Sequence, residues 1–385
     1  MKKNIVIALY GFPENYPPTL NAVSQLAKMF DEVTILYRPL FPVRWDYPSN
    51  VRLHPSGEEM TVKAQEQASP LKKLRLLYRF VLDLTKLCRQ KKPTVVLLYD
   101  QLALAAYSYA RRISPGKPLV WYHNHDILEG GNWRILSPSW IAVRQEPKMF
   151  PHLDIFTLPT EDRKAYFPMD RLKGKYFLLP NMPSIAFYEP FFQNKNESNG
   201  SLRLIYQGHM GIGHGLEDII SLLPYSVKSK PVNVVLVGWL RKDFEEKLTP
   251  LLQRTGVRDL VELKGYTPYK VLPGITNTCQ IGLAIYTRTD ITNSTLGTAS
   301  NKIFEYAALG LPVLYYDNEH FRKHLGNYSW AVPTKTSGEA LKKSLEYIAG
   351  NYEELSRQAR QDFLSTLNFE YRFEPVRQFI EKHLP

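Results

Sequence analysis

Cysteine is almost absent from this sequence. Cys88 and Cys279 are the only two, far apart and outside any Cys-x-x-Cys or Cys/His ligand spacing, so a disulfide framework and a zinc site are both disfavoured. Long apolar runs are missing too. Stretches such as VVLL at 95–98 fall far short of the roughly 18 residues that a membrane span requires, and the chain is not expected to cross a bilayer. No low-complexity tract and no repeat of solenoid period is present, and 44% apolar with 22% charged residues excludes collagen-like, disordered and coiled-coil classes. Acidic residues are in deficit, 37 against 49 Lys and Arg, which leaves a net charge of +12. That balance favours anionic partners, and phosphorylated substrates, nucleic acid and acidic lipid all qualify. The opening MKKNIVIALYGF has two lysines before an apolar stretch, but Glu14 follows and no small-residue cleavage site appears, so it reads as a first strand of a cytosolic chain.

What is present is a βα alternation. NIVIALY (4–10), EVTILY (32–37), TVVLLYD (94–100), PLVWYHN (118–124) and DIFTLP (154–159) form one series of β-branched runs, with a helical pattern at 19–30 after the first. LRLIYQG (202–208), VNVVLVG (232–238), VELKGY (261–266), IGLAIY (281–286) and PVLYYD (312–317) form a second. With 385 residues, this predicts two α/β domains, 1–185 and 200–368. The stretch 180–201, rich in Pro, Asn, Ser and Gly, reads as the linker, and a C-terminal helix at 369–385 is expected to pack back on the first domain with Pro375 in its first turn or at a kink.

Two segments carry the strongest chemical signal. LRLIYQG runs into GHMGIGHGLEDII, where Gly208, Gly211, Gly213 and Gly215 precede a helix; such a turn lets backbone N–H groups approach a diphosphate, although a purely packing turn uses the same residues. SNKIFEYAALGLPVLYY (300–316) predicts a helix capped at Ser300 or Asn301 and ended by Gly310. Its Lys302 and Glu305 share one face, opposite Ile303, Phe304, Ala307 and Ala308. An ammonium for phosphate and a carboxylate for a ribose diol fit a nucleotide ligand; an exposed i,i+3 ion pair is the plainer alternative.

SNKIFEYAALGLPVL resembles the donor-site helix of glycosyltransferase family 4 and related nucleotide-sugar glycosyltransferases of the GT-B fold, and RLIYQGHMGIGHGLEDII resembles the same family's glycine loop. The resemblance is strongest over 203–320. It implies an α/β GT-B chain, two Rossmann-like domains facing a cleft, with the donor bound by the C-terminal one. It implies a hexosyltransferase-type enzyme, retaining and metal-independent, with no cofactor, that passes sugar from a nucleotide diphosphate donor to a glycan or lipid-linked acceptor. Polysaccharide biosynthesis is the expected setting. Under this resemblance Lys302 and the amides of 298–301, including Ser300 and Asn301, hold the diphosphate, Glu305 takes the ribose, and Tyr266 lies near the base. Gly11, Gly208, Gly213 and Gly215 admit the donor. His125 and Asp126, ending the strand PLVWYHNHD, join Lys302 as the catalytic set.

Three departures accompany it. Gly297 stands where the family often has a Glu eight positions before the ribose carboxylate, and His209 and His214 stand where the glycine loop usually carries basic residues. Diphosphate charge then falls to Lys302, with Arg241 and Lys242, or to the histidines if protonated. These departures keep open a non-catalytic nucleotide-sugar-binding scaffold, and a nucleotide-sugar epimerase on the same fold is a third reading. His123 reads as a core or supporting group or as a catalytic one, and Glu14 as an acceptor contact or part of a proline-stiffened connector. Finally, residues 71–92 carry eight Lys/Arg against one acidic residue, Asp83, with leucines at helical spacing. That pattern suits either the inner face of a membrane, as a peripheral contact, or a helix packed on the sheet with a solvated basic face. No nucleic-acid-binding module is visible.

Overall fold

The computed structural model describes residues 2–114, 116–128, 131, 133–194, 200–287 and 295–384. The chain divides into two units, Met1–Pro180 with Arg372–Pro385, and Asn181–Tyr371. The first unit holds β1 (Asn4–Leu9), β2 (Glu32–Tyr37), β3 (Val51–Pro55), β4 (Val95–Tyr99), β5 (Leu119–His123), β6 (Ile155–Leu158) and β7 (Lys175–Leu178). They form one parallel sheet in the order β3-β2-β1-β4-β5-β6-β7. Its central strands read as continuous apolar runs because both faces are covered by helices, and every residue of Val95–Tyr99 is buried.

The basic segment forms a single helix, Pro70–Lys91, started by Ser69, whose hydroxyl accepts the Lys72 N–H, and ended at Lys92 in a left-handed conformation. Phe80, Leu84, Leu87 and Cys88 bury one side of it in the core of the first unit. The C-terminal helix runs Phe369–His383; Phe373 stacks on Trp121 and Phe379 meets Phe177 edge to face. Pro375 lies inside this helix rather than in its first turn, because Asn368 already starts it by accepting the Tyr371 N–H.

The second unit holds β8 (Leu202–Gln207), β9 (Ser226–Val227), β10 (Lys230–Val237), β11 (Val261–Gly265), β12 (Ile281–Ala284), β13 (Val313–Tyr316) and β14 (Ala331–Thr334). Six run parallel in the order β11-β10-β8-β12-β13-β14, and the short β9 pairs antiparallel with β10. In each sheet the strand order reverses once, beside β1 and beside β8, and ligands of open α/β sheets sit outside the carboxyl ends at such reversals.

The expected linker is largely part of the second unit. Ile185–Tyr188 is helical, Ser184 and Ile185 bond to Glu370, and Phe187 stacks on Tyr269. Its aromatic residues outweigh its Pro and Asn content by giving it apolar surface to bury; residues 195–199 lie outside those described. Among the described residues no helix is long and apolar enough to cross a membrane.

Candidate functional site

In the second unit the site is built on the carboxyl ends of β8 and β10. Gly208 (φ 122°) and Gly238 (φ 132°) follow these strands, and a Cβ on Gly238 would lie 1.9 Å from the Gly208 carbonyl oxygen. Only glycine fits, since any side chain would collide with neighbouring backbone. Lys302 lies against this contact. Its Nζ sits 3.8 Å from the Tyr206 ring centroid and 5.0 Å from that of Tyr286, and a Cβ on Gly208 would be 3.3 Å from it. Burial among these rings pushes the Lys302 ammonium down to about 7, with Glu305 pulling the other way. Aromatic faces stabilise the ammonium, but they do not replace its water.

Glu305 is 4% exposed. Gln207 donates its amide to the Glu305 carboxylate, and Thr276 donates its hydroxyl to Gln207 Oε1 at 2.8 Å. Burial pushes Glu305 up to about 7, opposed by the phenols of Tyr269 and Tyr188, by Gln207 and by Lys302. The expected split of this helix into a core face and a chemical face needs correcting. Asn301–Ala308 is short and inserted, with Ile303 through Ala308 all buried, Glu305 included. The exposed ion-pair alternative is excluded as well: Glu305 is buried, and among the described residues Lys302 has no carboxylate within ion-pair distance.

Ser300 takes the cap position of this helix, as the sequence suggested, yet its side chain makes no capping bond. Asn301 Oδ1 is buried without a hydrogen-bond partner among the described residues. The first amides of the helix therefore remain unsatisfied by side chains beside a buried ammonium, an arrangement suited to an anion.

Gly213 (φ 89°) and Gly215 (φ 63°) are left-handed, and the loop they form leads into the helix Leu216–Ser221. His214 lies in this loop with Nδ1 2.5 Å from the Tyr206 hydroxyl, which donates to the His209 carbonyl at 2.9 Å; His214 therefore donates from Nδ1. Burial, Arg241 and Lys302 hold His209 below its ordinary value, which favours its neutral form. Arg241 bonds Asp243 at 3.0 and 2.8 Å, and its Cδ would be 3.0 Å from a Cβ on Gly211. Tyr266 packs against Trp239 with ring centroids 4.8 Å apart and planes tilted by 31°, and both rings are exposed at the ends of β11 and β10. At Gly297 (φ 33°) a Cβ would lie 2.8 Å from the His324 ring, which would have to move, and the Gly297 N–H donates to His320 Nε2 at 2.8 Å.

The first unit gathers a different set at the ends of β4 and β5. His125 is buried between the rings of Tyr16 and Tyr99, each 4.6 Å away. Its Nδ1 faces Asp100 Oδ2 at 3.2 Å and its Nε2 faces Thr19 Oγ1 at 3.2 Å, while its backbone N–H donates to Asp100 Oδ1 at 2.6 Å. The carboxylate partner of His125 is thus Asp100, the first residue of the helix that follows β4. Asp100 holds φ at 63°, a conformation costly for an aspartate and kept by these bonds. Asp126 has a 66% exposed side chain 3.9 Å from Arg163, whose guanidinium donates to the His125 carbonyl.

His123 is buried, with Nδ1 2.8 Å from Thr157 Oγ1, and burial with His125 and Arg163 nearby keeps it neutral. Glu14 accepts the Arg44 and Trp45 N–H groups at 2.9 and 3.0 Å and pins that loop. Gly11 follows β1, accepts the Arg38 N–H at its carbonyl oxygen, and has room for a Cβ, the nearest atom being 3.6 Å away.

Asp100, Gln207 and Trp239 escaped the sequence reading. Asp100 and Gln207 end or nearly end predicted strands, TVVLLYD and LRLIYQG, where polar residues after apolar runs are the available signal. Trp239 carried only its place after VNVVLVG.

No protein-family model and no curated protein sequence matches the chain. Solved structures do. Sucrose-phosphate synthase from Thermosynechococcus elongatus superposes with a TM-score of 0.69 at 13% identity over 99% of both chains. HepE from Anabaena, in complex with UDP, gives 0.65 at 13% over 99% of this chain and 100% of its own. A glycosyltransferase from Rickettsia africae gives 0.69 at 10% over 100% and 99%. The fold is GT-B. Within this GT-B chain, the Lys302–Gly208 contact belongs to the second Rossmann-like unit and the His125–Asp100 contact to the first.

Proposed function

We propose that the chain is a glycosyltransferase that uses a nucleoside diphosphate sugar as donor and a glycan or lipid-linked hydroxyl as acceptor. The observation that carries this reading is the Lys302 ammonium, lodged beneath Gly208 at the uncapped start of Asn301–Ala308, with the Gln207-bonded Glu305 one turn behind. HepE, of the same fold, has been solved with UDP-glucose.

In this reading Lys302 and the amides at 300–302 meet the diphosphate, Glu305 accepts the ribose hydroxyls, and the Trp239–Tyr266 pair stacks on the base. Arg241 adds charge at the rim of the glycine loop. The acceptor oxygen bonds to the sugar's anomeric carbon as the carbon–oxygen bond to phosphate breaks. The electron pair goes to the departing phosphate oxygen and the acceptor proton follows it. Lys302 serves most where that charge grows, which is where electrostatic stabilisation raises turnover. Retention of anomeric configuration and independence of metal belong to the same proposal, as the family resemblance implies. Asp126 and Arg163, at the end of the first sheet, are assigned to the acceptor side, with His125 and Asp100 as positioning residues.

The test is a thermal-shift screen of UDP, GDP and their sugars, followed by product analysis with the donor that stabilises. A ligand bound only by the folded state raises the melting point. Stabilisation by a nucleotide sugar that Lys302→Met abolishes is the expected result, and no response to any nucleotide diphosphate refutes the reading. A second reading, binding without turnover, is favoured by one observation: the His324 ring occupies the space beside Gly297 where a glutamate side chain would have to start. Donor binding with neither transfer nor hydrolysis would select it, and donor conversion without acceptor would select the epimerase.

A further inference from the structure

The helix Pro70–Lys91 has two apolar sides. One is buried in the core through Leu77, Phe80, Leu84 and Leu87. At 100° per residue, Leu71, Leu74, Tyr78 and Leu82 fall in a narrow arc on the opposite side, and Leu71 and Tyr78 are 71% and 63% exposed. Such a stripe on a helix already packed by its other face has no folding purpose within this unit.

The stripe forms one wall of an open apolar groove. Tyr109 and Ile141, from the helices Asp100–Ala110 and Pro138–Met149, form the rest of it with Val81. Cations border it. Arg75, Arg79 and Lys86 lie along one edge of the stripe on the helix, Arg112 sits over the Tyr109 ring, and Arg144 sits over Trp140 on the facing helix. The only acid on Pro70–Lys91, Asp83, is engaged by Arg79 and Ser56. Arg75, Lys86 and Arg144 pair with no carboxylate among the described residues.

We infer that this face of the first unit docks on an anionic lipid bilayer, with Leu71, Leu74, Tyr78 and Ile141 entering the headgroup–acyl boundary and the bordering cations meeting lipid phosphates. The charge selects this occupant. A second copy seated on the same face would bring two sets of these cations together, whereas an anionic leaflet neutralises them and takes up the apolar stripe. The inference stands whether or not the chain transfers sugar.

Vesicle flotation of the full chain tests it, with phosphatidylcholine alone and with phosphatidylglycerol added, at low and high salt. Binding is expected only to the anionic vesicles and is expected to weaken with salt. Each of Arg75→Gln and Lys86→Gln should lower partitioning roughly fivefold, since a basic residue near a charged leaflet is worth about that factor. Leu71→Ser with Tyr78→Ser should lower it about tenfold or more. These positions are exposed, so an unchanged melting point is expected, and the two charge variants alone carry the test if the apolar pair lowers it. Equal binding to neutral vesicles, no binding, or binding untouched by these substitutions overturns the inference. So does sedimentation showing a dimer that Leu71→Ser with Tyr78→Ser dissociates, because the face would then belong to a second copy.

Discussion

If Lys302 and Glu305 both titrate near 7 in the free protein, donor affinity must pass through a maximum close to that pH. Above it, Lys302 loses its proton, and a diphosphate must restore it at a cost. With about 4 Å between ammonium and phosphate and an effective dielectric near 20, Coulomb attraction is about 4 kcal/mol, enough to raise the bound pKa by roughly 3 units. Affinity should therefore fall up to about tenfold per pH unit from 7 to about 9. Below the maximum, Glu305 is protonated and cannot accept both ribose hydroxyls, so affinity falls again towards pH 5. UDP-glucose suits the assay because its diphosphate is fully ionised throughout. Isothermal titration in two buffers of different ionisation enthalpy counts the protons taken up, which should be positive at pH 8 and negative at pH 6. Lys302→Met should remove the alkaline limb and Glu305→Gln the acid limb. A flat profile from pH 6 to 9 with full affinity refutes the assignment of both groups to the ligand.

Glu305 also leaves a mark on stability. Its folded pKa lies above its unfolded one, so the folded state binds the extra proton and this contribution is lost as pH rises from about 4.5 through 7. Denaturant melts at pH 5 and 8 should show a loss of up to about 3 kcal/mol that Glu305→Gln abolishes, and an unchanged loss in the variant would place the effect elsewhere. Gly238→Ala puts a Cβ 1.9 Å from the Gly208 carbonyl oxygen at a φ of 132°, and should cost about 3 kcal/mol or more or prevent folding; a melting point within about a degree of the parent would contradict the contact. Trp239→Ala should weaken nucleotide binding about tenfold while Trp239→Phe largely keeps it, as stacking on a base requires. Equal affinity in all three proteins would remove this ring from the site.

Much of the fold was legible because parallel strands buried on both faces write themselves as apolar runs. The strands that were missed, β3, β7, β9 and β14, lie at or beyond sheet edges. Val51–Pro55 keeps only its first residue buried, Lys175–Leu178 is mostly unburied, and Ala331–Thr334 contains Pro333, so little apolar pattern marks them. The site was half legible. Lys302, Glu305 and Gly208 stood out because a lysine, a glutamate and a glycine turn near strand ends are chemically conspicuous. Their partners were not, because Gln207, Thr276 and Tyr206 are ordinary residues until folding brings them within bonding distance. Asp100 was hidden for the same reason: it is remote from His125 in sequence and comes beside it only when β4 and β5 pair.

Local pattern alone determined that this chain makes two α/β layers, that a glycine turn follows β8, and that a lysine and a glutamate lie one turn apart on the helix near β13. Periodicity and turn chemistry act over a few residues and are readable there. Tertiary structure alone decided that the glutamate is buried, that aromatic rings surround the lysine, that the histidine ring at 324 fills the place beside Gly297, and that a second apolar stripe on Pro70–Lys91 is left uncovered. Those facts arise from segments distant in sequence meeting in space, and burial, which sets both charge state and exposure, is a property of that meeting.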